Sequence, residues 1–232
     1  MKISSSSASY LIEGHIRTVP NSNEDVTAFW DHCFREIGSH FEPVRAERLA
    51  PIISRFREQN VSTVLDMGCG CGRWSIPLAQ EGFTVTAVDI SKEAIDLLKA
   101  WAIESGLKIA VKVSTAQYLA VCNGPFDAVV CNSVLDHMTY ADAALSIANI
   151  RHVLRIDGIA FLAFDGLDEA DGGSFESLAD GSRVYTSGNR KGMIWRFFSD
   201  NEIRTLAKDF ELTQFDVRVN GSREVWLRRV IV

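Results

Sequence analysis

Between Val64 and Arg73 the chain reads Val-Leu-Asp-Met-Gly-Cys-Gly-Cys-Gly-Arg, and few arrangements accommodate such a run. Apolar-rich positions lead into an acidic residue, glycines follow at alternate positions, and a helix-compatible stretch runs from Trp74 to Gln80. That succession predicts a buried strand, a tight turn and a helix N-terminus. Glycines at alternate positions leave no Cβ to hold a ligand off the backbone. The free N–H groups of the first helical turn then face that ligand. A dinucleotide site has Gly-x-Gly-x-x-Gly. Here the third glycine, Gly72, comes one residue early, and Arg73 stands where that pattern needs glycine. Asp66, two residues before Gly68, would repel a pyrophosphate, so a carboxylate there suits a cationic ligand better.

The next strand supplies a second acidic position. Phe83 to Val88 reads as buried β and ends at Asp89, 21 residues after Gly68. An acidic residue at about that distance meets ribose hydroxyls in nucleotide-binding βαβ units. The wording Leu-Asp-x-Gly-Cys-Gly-x-Gly-Arg, followed by Val-Thr-Ala-Val-Asp-Ile-Ser, resembles motif I and its acidic partner in class I S-adenosylmethionine-dependent methyltransferases. The resemblance continues to Phe164 and, more loosely, to the C-terminus.

The resemblance implies a Rossmann-like α/β fold: a doubly wound, seven-stranded, mostly parallel sheet with a C-terminal antiparallel hairpin. It implies S-adenosylmethionine as methyl donor and S-adenosylhomocysteine as product. The implied contacts fall at the strand ends: Asp66, Gly68, Cys69, Gly70 and Gly72; Asp89 and Ile90; Thr115, Ala116 and Gln117; Asn132, Ser133 and Val134. Family members commonly carry Asp before Ala after the third strand, where the carboxylate receives the adenine amino group. This chain has Thr115 there, and a hydroxyl is a neutral, weaker acceptor. Gln117 is the alternative source of that contact.

Composition narrows the partners. A chain of 232 residues fits one α/β domain with a small cap. Hydrophobic content of 47% and charged content of 23% are ordinary for a globular protein. No run approaches a membrane span, and the serine-rich start lacks the apolar core of a signal peptide. Residues 1 to about 20 are expected to be a flexible lead. The five cysteines, with no Cys-x-x-Cys pair, point to reduced thiols and a cytoplasmic setting. A net charge of −6 argues against nucleic acid as a partner. The sequence says nothing of oligomeric state.

In chain order, four segments are expected within the single domain. Residues 1–60 form an N-terminal helical lid, with helices from about Glu24 to Ile37 and from Pro43 toward Arg57. Pro51 is a possible kink point. In the family such helices lie over the cofactor. Aromatic stripes mostly mark cores, so core packing is expected for Trp30 and a solvated face for Arg45 and Arg48, with ligand contact the alternative. Residues 61–164 form the cofactor-binding core. Its strands are Val61–Leu65, Phe83–Val88, Leu107–Val113, Phe126–Cys131 and Ile159–Phe164, and Ser91 and Thr139 cap its helices. Residues 165–198 are glycine-rich, polar and long, the marks of an excursion that is either functional or disordered, with a solvated insertion of no role as the competing reading. They are expected to be a substrate cap with a hairpin pairing Arg183–Thr186 with Met193–Phe198. Tyr185, Trp195 and Arg196 are candidate lid residues. The acidic residues from Asp165 to Asp171 do not fit a calcium loop, since Leu167 falls at a ligand position, and no metal is expected. In residues 199–232, Ser199 opens a capping box, and Asn220-Gly221 turns a hairpin between Glu211–Val219 and Arg223–Val232.

No Asn/Asp-Pro-Pro-aromatic motif follows the fourth strand, and the Pro-Cys pair of cytosine-C5 enzymes is missing, so a small-molecule methyl acceptor is expected. Related small-molecule enzymes often have Glu-His or His-His where this chain has Asp136-His137. His137 is the candidate base, because imidazole titrates near neutrality, and packing or helix capping is its structural alternative. Asp165, at the end of the fifth strand, is the second candidate. Protein or peptide methylation is the alternative within the class. An NAD-type oxidoreductase is disfavoured by Gly72 and Asp66, and Thr115 leaves room for a non-catalytic cofactor-binding regulator.

Overall fold

The computed structural model describes residues 9–12, 15–18, 22–38, 40, 42–116, 119, 124–167 and 173–231. The chain opens with β1 (Ser9–Ile12) and β2 (His15–Thr18), paired antiparallel. Within the expected flexible lead, Ser9–Ile12 and His15–Thr18 are paired strands instead; the rest of residues 1–20 lies outside the described residues. Two helices follow, α1 (Ser22–Ile37) and α2 (Ala46–Glu58). The second starts three residues later than Pro43 suggests, because Arg45 is extended, with ψ 141°, and serves as the N-cap. It continues through Pro51.

The core then alternates strand and helix: β3 (Thr63–Met67), α3 (Ser75–Gln80), β4 (Thr84–Asp89), α4 (Lys92–Glu104), β5 (Ala110–Val113), β6 (Phe126–Asn132), α5 (Tyr140–Val153) and β7 (Leu154–Phe164). Ser91 and Thr139 cap α4 and α5 through their side chains, as expected. β5 is shorter than expected and β7 longer, taking over directly where α5 ends. After a small sheet of β8 (Phe175–Ser177), β9 (Arg183–Tyr185) and β10 (Ile194–Trp195) come α6 (Asp200–Leu206), β11 (Glu211–Val217) and β12 (Arg223–Arg228). Ser199 and Glu202 form the complete capping box of α6.

Seven strands make one sheet in the order β11-β12-β7-β6-β3-β4-β5. β3 to β7 are mutually parallel, and β12 pairs antiparallel with both β7 and β11. The chain winds outward from β3 to β5, then returns to place β6 beside β3. That reversal between β3 and β6 is a topological switch point, where open α/β sheets bind ligands at the carboxyl ends of their strands.

Central strands are apolar on both faces, as parallel strands covered on both sides must be. One face packs Leu65, Met67, Val129 and Leu162 against Ile147 and Ile150 of α5 and Ile203 of α6. The other packs Val64, Val130 and Phe161 against Ile53 and Phe56 of α2, with Trp226 of β12 between them. Phe56 and Trp226 meet edge-to-face at 6.1 Å. Burying each such side chain contributes about 1.5–3 kcal/mol. At the opposite, amino end of the sheet, Asp127 accepts from the amides of Ser62 and Thr63 and pairs with Arg155 at 2.6 Å. Those bonds outweigh the opposing effect of burial and hold its carboxyl at about 2.

Candidate functional site

The carboxyl ends of β3, β4, β5 and β6 surround a cavity of about 350 Å³. The turn after β3 forms its floor. Gly68, Gly70 and Gly72 all have positive φ, 69°, 52° and 96°, a conformation L-residues resist. The expectation that these glycines clear a path for a ligand needs correction. A Cβ at Gly68 would lie 2.3 Å from Val134, one at Gly70 would lie 3.0 Å from the Phe34 ring, and one at Gly72 would lie 2.4 Å from Leu98. The glycines permit the turn and the close approach of neighbouring side chains; the ligand benefits because the backbone then faces the cavity.

Asp89 ends β4 at the cavity wall. One carboxylate oxygen accepts from the Gly70 amide at 2.8 Å and the other from Ser91 at 2.8 Å. Each oxygen keeps a lone pair for a ligand hydroxyl. Burial raises the Asp89 carboxyl to about 6, against those amide bonds, and Asp31 adds to the rise. Ile90, Thr115 and Ala116 complete this wall, and Asn132, Ser133 and Val134 the wall after β6. Ser133 has a positive φ of 52°, an uncommon backbone state held by its surroundings. The Asn132 amide oxygen is buried without a hydrogen-bond partner among the described residues, a vacancy suited to a ligand donor.

Two expected residues stand apart from the surface. Asp66 is 1% exposed and lies beneath the turn, where it accepts from Ser75 Oγ at 2.5 Å. Burial raises its carboxyl to about 7. Gly72 likewise lies below the lining, while Cys69 and Cys71 reach it. Gln117 lies outside the described residues.

The roof is α1. Val26, Trp30, Phe34 and Ile37 line the cavity, so Trp30 takes its alternative place against the ligand space rather than the core packing expected for it. Arg48 lines it as well, its guanidinium 5.3 Å over the Trp74 ring and 2.9 Å from Glu224; the expected solvated role fits Arg45 and not Arg48. Helical spacing marks an apolar face but not what covers it, so for Trp30 the sequence left core packing and ligand contact both open, and for Arg48 a solvated face and ligand contact. Asp31 accepts from Ser91 Oγ at 2.6 Å, and Arg35 pairs with Glu93 at 3.0 Å, which fixes α1 to α4 beside Asp89.

A second, more open cavity of about 570 Å³ adjoins the first. His137 lines both. The residue ends a 3₁₀ turn, Leu135–His137, and its Nδ1 faces the Ile194 carbonyl of β10 at 3.3 Å. A carbonyl only accepts, so Nδ1 carries the proton and Nε2 keeps its lone pair. Burial and Arg190 hold the imidazole below its ordinary 6.5, against the pull of Asp165 and the Ile194 carbonyl. Its ring meets Trp30 edge-on at 4.9 Å. Asp165 lines the second cavity only, and accepts from Ser133 Oγ at 2.7 Å. Beneath it Asp136 is wholly buried and accepts the Asp165 amide at 3.1 Å, its carboxyl pushed well up by burial and by Asp165.

The segment after β7 walls this second space. β9 pairs with β10 as expected, and β8 adds a third strand that the polar sequence did not suggest. Tyr185, Met193 and Trp195 pack together with Phe29 of α1. Arg196 sits inside rather than on a lid: it is 5% exposed, pairs with Glu202 at 2.5 Å, and donates its amide to the Asp136 carbonyl at 2.7 Å. Among the described residues no group of three or more His, Cys, Asp or Glu side chains could hold a metal ion. No described helix is long and apolar enough to cross a membrane.

A glycine turn at the switch point, an acid on the next strand and a helical roof are the arrangement of a class I methyltransferase. Residues 64–158 match the methyltransferase domain family, and over that span the chain is similar to class I S-adenosylmethionine-dependent methyltransferases. Among curated relatives it is 41% identical over 102 residues to a ubiquinone biosynthesis O-methyltransferase of Caulobacter vibrioides, covering 44% of this chain and 40% of that one. It is 35% identical over 139 residues to a protein of the same name from Xylella fastidiosa, covering 59% of this chain and 54% of that one. The chain thus spans about half the length of these relatives or less. The fold is similar to magnesium protoporphyrin IX methyltransferase of Synechocystis, solved with bound S-adenosylmethionine: TM-score 0.65, 18% identity, 90% of this chain and 97% of that one. It is also similar to the CcbJ methyltransferase of Streptomyces caelestis, with TM-score 0.69, 16% identity, and 89% and 99% covered.

Proposed function

We propose that the chain transfers a methyl group from S-adenosylmethionine to a small-molecule acceptor, with the first cavity holding the donor and the second the acceptor. One observation carries this reading: His137 lines both cavities, and its Nδ1 faces the Ile194 carbonyl, which leaves the lone pair on Nε2. When bound, S-adenosylmethionine supplies an electrophilic methyl on a sulfonium centre.

The residues of the chain do the rest. Asp89 would accept the ribose hydroxyls, Thr115 and Ala116 would border the base, and Arg48 would attract the carboxylate. Asn132 Oδ1 receives a ligand donor. The roof of Trp30 and Phe34 excludes water, which strengthens each polar contact beneath it. Positioning an acceptor in line supplies about 7–11 kcal/mol of such a barrier. His137 removes a proton where the acceptor arrives as a hydroxyl, and its lowered pKa keeps it neutral, as a base must be, at pH 7. The relatives' name, O-methyltransferase, supports an oxygen acceptor. Ser133 and Asp165 border the same junction and orient the acceptor from its other side. Residues 165–198 act as the acceptor's cap.

The test is release of S-adenosylhomocysteine from S-adenosylmethionine across a panel of hydroxylated small molecules. Turnover is expected with at least one. His137→Gln is expected to lower kcat about 10²–10⁴-fold and leave S-adenosylhomocysteine affinity unchanged. The acid limb of kcat/KM is expected below pH 6.5, since the imidazole must lose its proton to act. Wild-type turnover retained in the variant would remove His137 from the chemistry.

A further inference from the structure

Arg48 lines the first cavity, and what holds it there comes from the far end of the chain. β12 sets Glu224 opposite Ala163 of β7, and Ala163 stands opposite Asn132 of β6. Glu224 is therefore level with the strand ends that border the cavity. Residues two apart on a strand share a face. Trp226 meets Phe56 of α2, so Glu224 faces α2 as well. It is 8% exposed, a carboxylate too deeply set to stand unpaired. Its Oε1 accepts from Arg48 Nε at 2.9 Å, and its Oε2 accepts from Arg218 Nη2. The Trp74 ring holds Arg48 from a second direction, 5.3 Å from the guanidinium carbon. Glu224 thus takes Nε, and among the described residues no side chain or carbonyl takes Nη1 or Nη2. Arg73, the other arginine on the lining, gives its Nε to the Glu42 carbonyl.

Resting on the methyl-donor reading above, we infer that Glu224 is a positioning residue for the donor: it fixes Arg48 so that the two Nη groups receive the amino-acid carboxylate of S-adenosylmethionine or S-adenosylhomocysteine. The strand order β12-β7-β6-β3-β4 puts this anchor and Asp89 on opposite sides of the switch point. A ligand whose ribose is held by Asp89 turns its amino-acid end toward Arg48. A guanidinium binds a carboxylate through two parallel hydrogen bonds, which need a fixed plane. A loose arginine loses rotamer freedom when it binds; one tied at Nε and laid on an indole has lost it beforehand. Glu224 shares its charge with Arg218, so it orients Arg48 without claiming the whole of its charge. The final hairpin supplies none of the first cavity's described lining, yet through Glu224 it acts on the cofactor.

Two ligands that differ only at the amino-acid end test this. S-adenosylhomocysteine carries the carboxylate, and 5′-methylthioadenosine keeps the adenine, ribose and thioether without it. Each is titrated calorimetrically into the full chain. Glu224→Ala is expected to weaken S-adenosylhomocysteine at least about tenfold, the scale of a hydrogen bond to a charged group, and methylthioadenosine by no more than about twofold. Glu224→Gln keeps an oxygen for Arg48 Nε and is expected to restore most of the loss. Arg48→Gln is expected to show the same selective loss, and adding Glu224→Ala to it no further loss, because the two residues act through one contact. Equal weakening of both ligands in Glu224→Ala, no recovery in Glu224→Gln, or additive losses in the double variant would overturn the proposal. If Glu224→Ala does not fold, Arg48→Gln decides: unchanged S-adenosylhomocysteine affinity there, or equal loss of both ligands, would overturn it. Failure of both ligands to bind the wild-type chain would instead strike the donor reading, and this inference with it.

Discussion

Asp66 and Asp89 are both carboxylates on adjacent strands, yet burial gives them different work. Asp89 stands at the cavity wall with two amide donors and spare lone pairs. Asp89→Ala is expected to weaken S-adenosylhomocysteine binding by about 1.5–3 kcal/mol, the range for hydrogen bonds to a charged group. Unchanged affinity in a folded variant, measured by calorimetry, would refute the assignment. Asp66 holds Ser75 from beneath, and its effect is on stability. Its carboxyl is at about 7 in the fold against an ordinary 3.8, so the folded state keeps a proton that the unfolded state has released. Stability therefore falls as pH rises from about 4 to 7. Asp66→Asn removes this component while Asp89 leaves a smaller one. The difference in Tm between pH 5 and pH 8 is expected to shrink by about 5–10 °C, equivalent to about 2–3 kcal/mol in a domain of this size. An identical pH profile in calorimetric scans would count against the buried proton.

At the scale of elements, α1 and the β8–β10 cap act on both cavities together. Phe29 faces the second cavity, while Trp30 and Phe34 face the first. The cap touches this helix: a Cβ at Gly192 would lie 2.8 Å from the Asp25 carbonyl, so Gly192 is where the two backbones meet. The cap also supplies the Ile194 carbonyl that sets the His137 tautomer. Replacing Glu169–Gly192 with a short Gly/Ser linker removes Tyr185, Arg190 and the partner strand of Ile194. Affinity for S-adenosylhomocysteine is expected to change by no more than a few-fold, because the glycine turn and Asp89 are untouched. Turnover is expected to collapse, because neither the acceptor nor His137 is held. Normal turnover would make the segment a passive insertion; loss of cofactor affinity would make it part of the core.

For the whole molecule, the sheet separates stability from chemistry by placing them at opposite strand ends. Asp127 and its partners Ser62, Thr63 and Arg155 tie β3, β6 and β7 at the amino end. The candidate site residues gather at the carboxyl end, on loops that can vary without disturbing the strands. The antiparallel β12 packs Trp226 against Phe161 at 5.0 Å and closes the core beside Phe56.

The sequence by itself determined the glycine turn, Asp89 at the end of the next strand, the caps at Ser91, Thr139 and Ser199, and the final hairpin, while the seven-stranded sheet was what the family resemblance implied. These depend on residues close together along the chain, where glycine φ, side-chain capping and apolar period act locally. Only the tertiary structure decided which stripes face ligand space. Trp30 and Phe34 have the spacing of a core helix, and nothing in that spacing reveals that a cavity lies beneath. It also decided that Asp66 lies below the turn, that Arg196 is buried, and that the glycine Cβ positions are occupied by Val134, Phe34 and Leu98. His137 was legible as a residue after the fourth strand. Its protonation and its place between two cavities come from the Ile194 carbonyl, 57 residues further along the chain, which only folding brings to it.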